Sequence, residues 1–134
     1  MSESVATFYN SKIHDGNASI DAAFAFIIDS TLEMTNSILE NLHAKTAAVG
    51  SGYDAVVNMK NTTIRNCTLS KNEQDEDSNG IMNLIDSELT FDKVVLTDYS
   101  YSGLNLEGGN HTFNEFTAQN GIHESENVSL RCKS

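Results

Sequence analysis

A phrase recurs along this chain about every 22 to 30 residues. Its clearest copies are Ser30-Thr-Leu-Glu-Met-Thr-Asn-Ser-Ile-Leu-Glu-Asn41 and Asn61-Thr-Thr-Ile-Arg-Asn-Cys-Thr-Leu-Ser-Lys-Asn72. Related copies begin at Val5, Ser87 and Asn110. Self-similarity at this period means one supersecondary unit stacked on copies of itself. Aligned on one apolar anchor, the copies place Phe8, Met34, Ile64, Phe91 and Phe113 together. Five residues on come Ile13, Leu39, Leu69, Leu96 and Ala118, and seven on come the polar Asp15, Asn41, Lys71, Asp98 and Asn120.

Apolar residues alternate with polar ones inside each copy, which is the period of an extended strand. The step of five is odd, so the chain must turn a corner between the two inward positions. Asn-Ser at 10–11 and 36–37 and Asn-Cys at 66–67 mark that corner, because Asn tolerates left-handed backbone. A further strand is expected before each phrase, over 22–29, 55–60, 81–86 and 103–108. The length variation falls in one place, after the polar position that closes each phrase. Insertions at a single corner are the mark of a solenoid. A β-sandwich also has short alternating strands, but it requires neither aligned phrases nor corner-specific insertions.

These residues resemble the right-handed parallel β-helix of the pectin-lyase-like superfamily, and most of all the degenerate coils of large microbial and protist surface proteins. The Gly-Gly-Ala-Ile signature of the polymorphic outer-membrane proteins is missing, and only an apolar strand closing on Asn echoes that pattern. The resemblance implies an all-β, right-handed parallel β-helix solenoid of about five coils over residues 1–134, with Val128–Cys132 beginning another. It implies little about function, since this fold hosts lyases, hydrolases, spikes and adhesins.

Composition narrows the classes. Proline is absent, which suits strands paired on both sides. The net charge of −11 argues against nucleic acid and anionic membrane surfaces. No apolar run is long enough for membrane insertion, and Met1-Ser-Glu-Ser does not open a signal peptide. Neither terminus shows an amphipathic helix to close an open end. The chain is therefore expected to be one segment of a longer protein, or to be capped by a protein partner or flanking coils at both ends.

Chemistry-bearing residues are few. The acidic run Glu73, Asp75 and Asp77 offers oxygens for Ca2+, without the spacing of a dedicated loop, and a solvated insertion is the plainer reading. Asp29, Asp86 and Glu107, with Lys60 in the remaining copy, are expected at equivalent corners, where a stacked carboxylate column is able to do acid–base or metal chemistry; their neighbours read as turn formers. His14, His43, His111 and His123 have no metal-ligand spacing. Tyr99 and Tyr101 beside Asp98 are candidates to stack on a carbohydrate, against partial burial over a corner. Asn17, Asn61, Asn66, Asn110 and Asn127 head Asn-x-Ser/Thr sequons, which points to an extracellular or cell-surface glycoprotein. Cys67 and Cys132 are too many coils apart to pair with each other. The expected function is a non-catalytic scaffold/adhesion segment of a large surface protein, acting as a scaffold or a carbohydrate-binding stalk. The alternatives are a polysaccharide lyase or glycoside hydrolase fragment, and a structural subunit docking through its open ends.

Overall fold

The computed structural model describes residues 4–19, 22–45, 47–70, 80–99, 102–121 and 130–133. Every regular element among them is a β-strand. The first rung is β1 (Val5–Tyr9), β2 (Lys12–Asn17) and β3 (Ala25–Ile28). The second is β4 (Thr31–Thr35), β5 (Ile38–Ala44) and β6 (Gly50–Tyr53). In the third, β7 (Val56–Leu69) bends across two faces and β8 (Gly80–Ile85) supplies the third. β9 (Glu88–Tyr99) and β10 (Ser102–Glu107) repeat this in the fourth. β11 (Asn110–Asn114), β12 (Thr117–Gln119) and β13 (Leu130–Lys133) close the series.

All strand pairs are parallel and link successive rungs. An eight-stranded sheet wraps two faces and a five-stranded sheet, β13-β10-β8-β6-β3, forms the third. The chain is thus an all-β parallel β-solenoid of about four turns. The turn count is slightly below the expected five coils. Leu130–Lys133 pairs with Leu104–Glu107 and completes the last rung on the third face, rather than beginning another coil.

Three corners per rung make the fold possible. At thirteen of them one non-glycine residue takes a left-handed φ between 48° and 59°. The first corner uses Asn10, Asn36, Asn61, Lys93 and Glu115, the second Asp15, Asn41, Asn66, Asp98 and Asn120, and the third Asp29, Asp54 and Asp86. Gly108 and Gly109 make the last third-corner turn, at φ 66° and 77°. Asn and Asp enter this region more cheaply than other side chains, and glycine most cheaply of all. The residue after the corner often locks it. Ser37 Oγ donates to Thr35 O at 2.9 Å, Thr62 Oγ1 to Lys60 O at 3.0 Å and Ser87 Oγ to Ile85 O at 2.8 Å. Each of these carbonyls also accepts a backbone N–H from the rung before, from Asn10, Asn36 and Asp54 respectively, so the buried hydroxyl adds a second bond to an acceptor with two lone pairs.

The core is a set of columns running through the rungs. Phe8, Met34, Met59, Phe91 and Phe113 are stacked Cα partners on the first face. Ile13, Leu39, Ile64, Leu96 and Ala118 are stacked on the second. The sequence alignment is therefore corrected in the third rung. Ile64 belongs to the second column and Met59 holds the first, while Leu69 pairs with Ala44 beyond both. The cause is a symmetry in the sequence, because Met59, Ile64 and Leu69 are each five residues apart. The third-rung corners shift accordingly, to Asn61 and Asn66, with Asn66 in the place assigned to Lys71. Residues 55–60, expected as a preceding strand, open the phrase instead. The true third-face strand there is Gly50-Ser-Gly-Tyr53, whose glycines disguise it. They are needed: a Cβ on Gly52 would sit 2.8 Å from Leu84 Cδ2, and one on Gly50 2.9 Å from Ala25 O.

Candidate functional site

The outer surface carries three arrangements that the fold builds from residues far apart in sequence. The first is a set of amide ladders on the corners. Asn41 Nδ2 donates to Asp15 Oδ1 at 3.0 Å, and Asn66 Nδ2 to Asn41 Oδ1 at 2.6 Å. Asn61 Nδ2 donates to Asn36 Oδ1 at 2.7 Å on the neighbouring corner. Stacking rungs brings equivalent side chains within hydrogen-bond reach, so an Asn column satisfies itself. These bonds hold Asn41 and His14 against Asp15 and keep its carboxyl below the usual range, with the His14 bond the larger cause.

The second is an ion-pair ladder on the second face. Lys12 Nζ meets Glu40 Oε1 at 2.5 Å, and Arg65 Nε meets Glu40 Oε2 at 2.6 Å. One carboxylate oxygen serves each cation, so Glu40 ties three rungs together. Hydrogen bonds from Lys12 first and Arg65 second lower its carboxyl. Glu40 is nearly covered while both cations are half exposed. The two cations are thus engaged in the fold itself.

The third arrangement is the N-terminal end. Val5, Tyr9, Phe26 and Ile28 in the first rung are 66 %, 64 %, 55 % and 51 % exposed. Tyr53, one rung up from Ile28, is the remaining exposed large hydrophobic among the described residues. Phe26 and Tyr53 form an outward ring pair, with centroids 6.1 Å apart and planes at 59°. Between the start of β1 and the end of β3 lies a groove of about 550 Å³, lined by Val5, Phe8, Phe24, Phe26, Ile28 and Leu32 among others. Val5, Tyr9, Phe26 and Ile28 face outward, while the inward Ala6, Phe8 and Ile27, whose partners one rung up are buried, are exposed or half-buried here.

The residues singled out from the sequence are dispersed. Tyr99 is buried, at 2 % exposure, at the second corner, so its ring is core rather than a sugar platform; it follows an inward-turning bend that carries it into the solenoid. Asp98 is exposed on that corner and Tyr101 lies outside the described residues. Glu73, Asp75, Asp77, Asn127 and His123 also lie outside them. Among the described residues no group of three His, Cys, Asp or Glu could hold a metal ion. Asn17, Asn61, Asn66 and Asn110 are all exposed, but the Asn61 and Asn66 amides are engaged in the ladders.

The third-corner carboxylate column is real but differently composed. Asp29, Asp54 and Asp86 occupy it, where Lys60 and Glu107 had been expected alongside Asp29 and Asp86. The slipped third-rung alignment hid Asp54. Glu107 is the last residue of its strand, and Gly108 takes the corner. The histidines do not converge. His14 bonds Asp15, His43 bonds Thr68, and His111 points inward opposite Leu89, its Nε2 buried without a hydrogen-bond partner among the described residues. Cys67 is a free, buried thiol in the third rung, and burial pushes it up to about 11. Cys132 lies two rungs on and on another face, paired with Leu106. Among the described residues no helix is long and apolar enough to cross a membrane.

Comparison with protein-family models, curated proteins and solved structures finds no match for this chain.

Proposed function

We propose that this chain is a non-catalytic β-solenoid segment, a spacer that joins other protein through its N-terminal end. The observation that carries this reading is the apolar groove of about 550 Å³ at that end, with Val5, Phe26 and Ile28 more than half exposed around it. Bare apolar surface beside open strand edges is costly for an isolated domain and marks an interaction site. The setting that suits such a spacer is a large extracellular or cell-surface protein built on a pectin-lyase-like β-helix, with glycans on Asn17 and Asn110 where the amides are not used by a ladder. Binding of an environment-sensitive apolar dye tests the open end. Fluorescence enhancement should appear with the 134-residue chain and fall several-fold in Phe26→Ser and Ile28→Ser. No enhancement in the parent chain overturns the reading.

A second reading rests on the outward pair Phe26 and Tyr53, which follows the rungs into Asp29 and Asp54. Ring faces beside hydrogen-bonding carboxylates suit a neutral carbohydrate, by CH–π stacking and hydroxyl donation. Retardation of the chain in gels containing neutral polysaccharide, abolished by Tyr53→Ala, would support it. Equal mobility with and without polysaccharide removes it. Cleavage of uronic-acid polymers that is lost in Asp86→Ala would instead make the carboxylate column an active site.

A further inference from the structure

The two ends of the solenoid fit each other. Inside the chain, each rung covers the one before it by the same parallel register, so the interface between rungs is already established many times over. The outer edges of β1, β2 and β3 are what remain of that interface at one end. Among the described residues, the edges of β11, β12 and β13 are what remain at the other. Because the pairing is parallel, the two edges have complementary donor and acceptor rows. Antiparallel ends would not continue this way.

Side chains agree with the backbone. Ala6, Phe8 and Ile13 are the first-rung members of three inward columns, and each is bare or half-buried. His111, Phe113 and Ala118 are the last members of the same columns, and each is half-buried. Continuing the columns from one copy into the next sets small Ala6 on large His111 and large Ile13 on small Ala118. It sets Phe8 on Phe113, the pairing that Phe91 and Phe113 already make edge to face at 5.8 Å and 87°. The corners agree as well. Asn10 would follow Glu115, and Asp15 would follow Asn120, so each junction meets an amide with a carboxylate. That is the bond Asn41 makes to Asp15 within the chain.

From this we propose that the occupant of the open N-terminal end is the C-terminal rung of a second copy of this chain, stacked head to tail with every column in register. The proposal rests on the open-end reading above. Such a contact is heterologous and does not close, so it builds filaments rather than a fixed dimer.

The test is sedimentation of the full chain over a wide concentration range, joined to cysteine cross-linking. Average mass should climb through dimer to higher multiples without a plateau. Ala6→Arg places a long charged side chain on an exposed stacking position. It should raise the concentration for half-association at least tenfold while leaving the far-ultraviolet circular dichroism unchanged. In a Cys132→Ser background, Asn10→Cys with Glu115→Cys should give a ladder of disulfide-linked multimers. Those two positions are four rungs apart in one copy, about 19 Å at the usual strand spacing, beyond the reach of an internal disulfide. Either single cysteine should give dimers at most. A closed dimer without the 10–115 link overturns the proposal, and so does a monomer at all concentrations. If that monomer still binds the apolar dye at Phe26 and Ile28, the open end stands and its occupant is another protein. If it binds no dye, both readings fall.

Discussion

Phe8 and Phe91 hold the same place in the same column, three rungs apart, and their surroundings differ completely. Phe91 has no exposed surface and packs against Phe113 and Phe116 above it. Phe8 is half-buried and has Phe24 beside it, with centroids 5.5 Å apart, and Met34 above. Nothing in the local phrase distinguishes them. Burial in a solenoid comes from the rung above and the rung below, so an end rung with a perfect inward pattern still makes half a core. The middle of this chain is therefore where stability resides, and the N-terminal end is where surface is left for use.

The sharpest way to break that comparison is to truncate both rings. Phe91→Ala should cost about 3–5 kcal/mol, because neighbours above and below cannot both collapse into the cavity. Phe8→Ala should cost less than half as much. Denaturant unfolding of the two variants checks this, and equal losses would mean that the first rung is covered.

Next in size is the glycine corner that leads from the fourth rung into the fifth. Gly109 combines φ 77° with a position where a Cβ would lie 2.0 Å from Ser87 O. Gly109→Ala should destabilise by about 1–3 kcal/mol. The loss should concentrate in β11, read as faster amide exchange there than in β7. Uniform acceleration would show that the end rungs unfold together with the middle.

The ion-pair ladder binds the first rung to the two above it from outside, so it should matter in a pH-dependent way. The folded-state pKa of Glu40 is lowered, and its stabilisation is present above the unfolded value near 4.5 and lost as pH falls through the lower folded value. The gap in unfolding midpoint between the parent chain and Glu40→Gln should be open at pH 7 and narrow below about pH 4. A gap that stays constant across that window would assign Glu40 a packing role instead.

The smallest effect reads how closed the middle is. With its thiol pushed up to about 11, Cys67 stays protonated at pH 8. Its reaction with an aromatic disulfide should be about a hundredfold slower in the folded chain than in denaturant. Rapid labelling of Cys67 without unfolding would show that the third rung opens as readily as an end.

The sequence by itself determined the class of fold, the strand character of the phrases and the polar corners. These follow from local physics. Alternation fixes which side chains share a face, and Asn or Asp marks where the backbone turns left-handed. Asn10, Asn36, Asp15, Asn41 and Asp98 were legible for that reason. Tertiary structure alone decided the register in the third rung. Met59, Ile64 and Leu69 satisfy the local pattern equally, and only pairing with Met34 below and Phe91 above selects Met59 for the first column. It also decided that Gly50–Tyr53 is a strand, since its glycines answer to Leu84 and Ala25 on the neighbouring strands of the same face rather than to strand propensity. That slip hid Asp54 in its corner column and Tyr53 beside Phe26. It placed Tyr99 inside, because a corner's inward or outward aim is set by the neighbouring rungs. Which apolar residues rim the open N-terminal end was decided by register, which turns Val5, Phe26 and Ile28 outward and leaves Phe8 and Ile27 inward but only half-buried, because inward burial needs a rung on both sides.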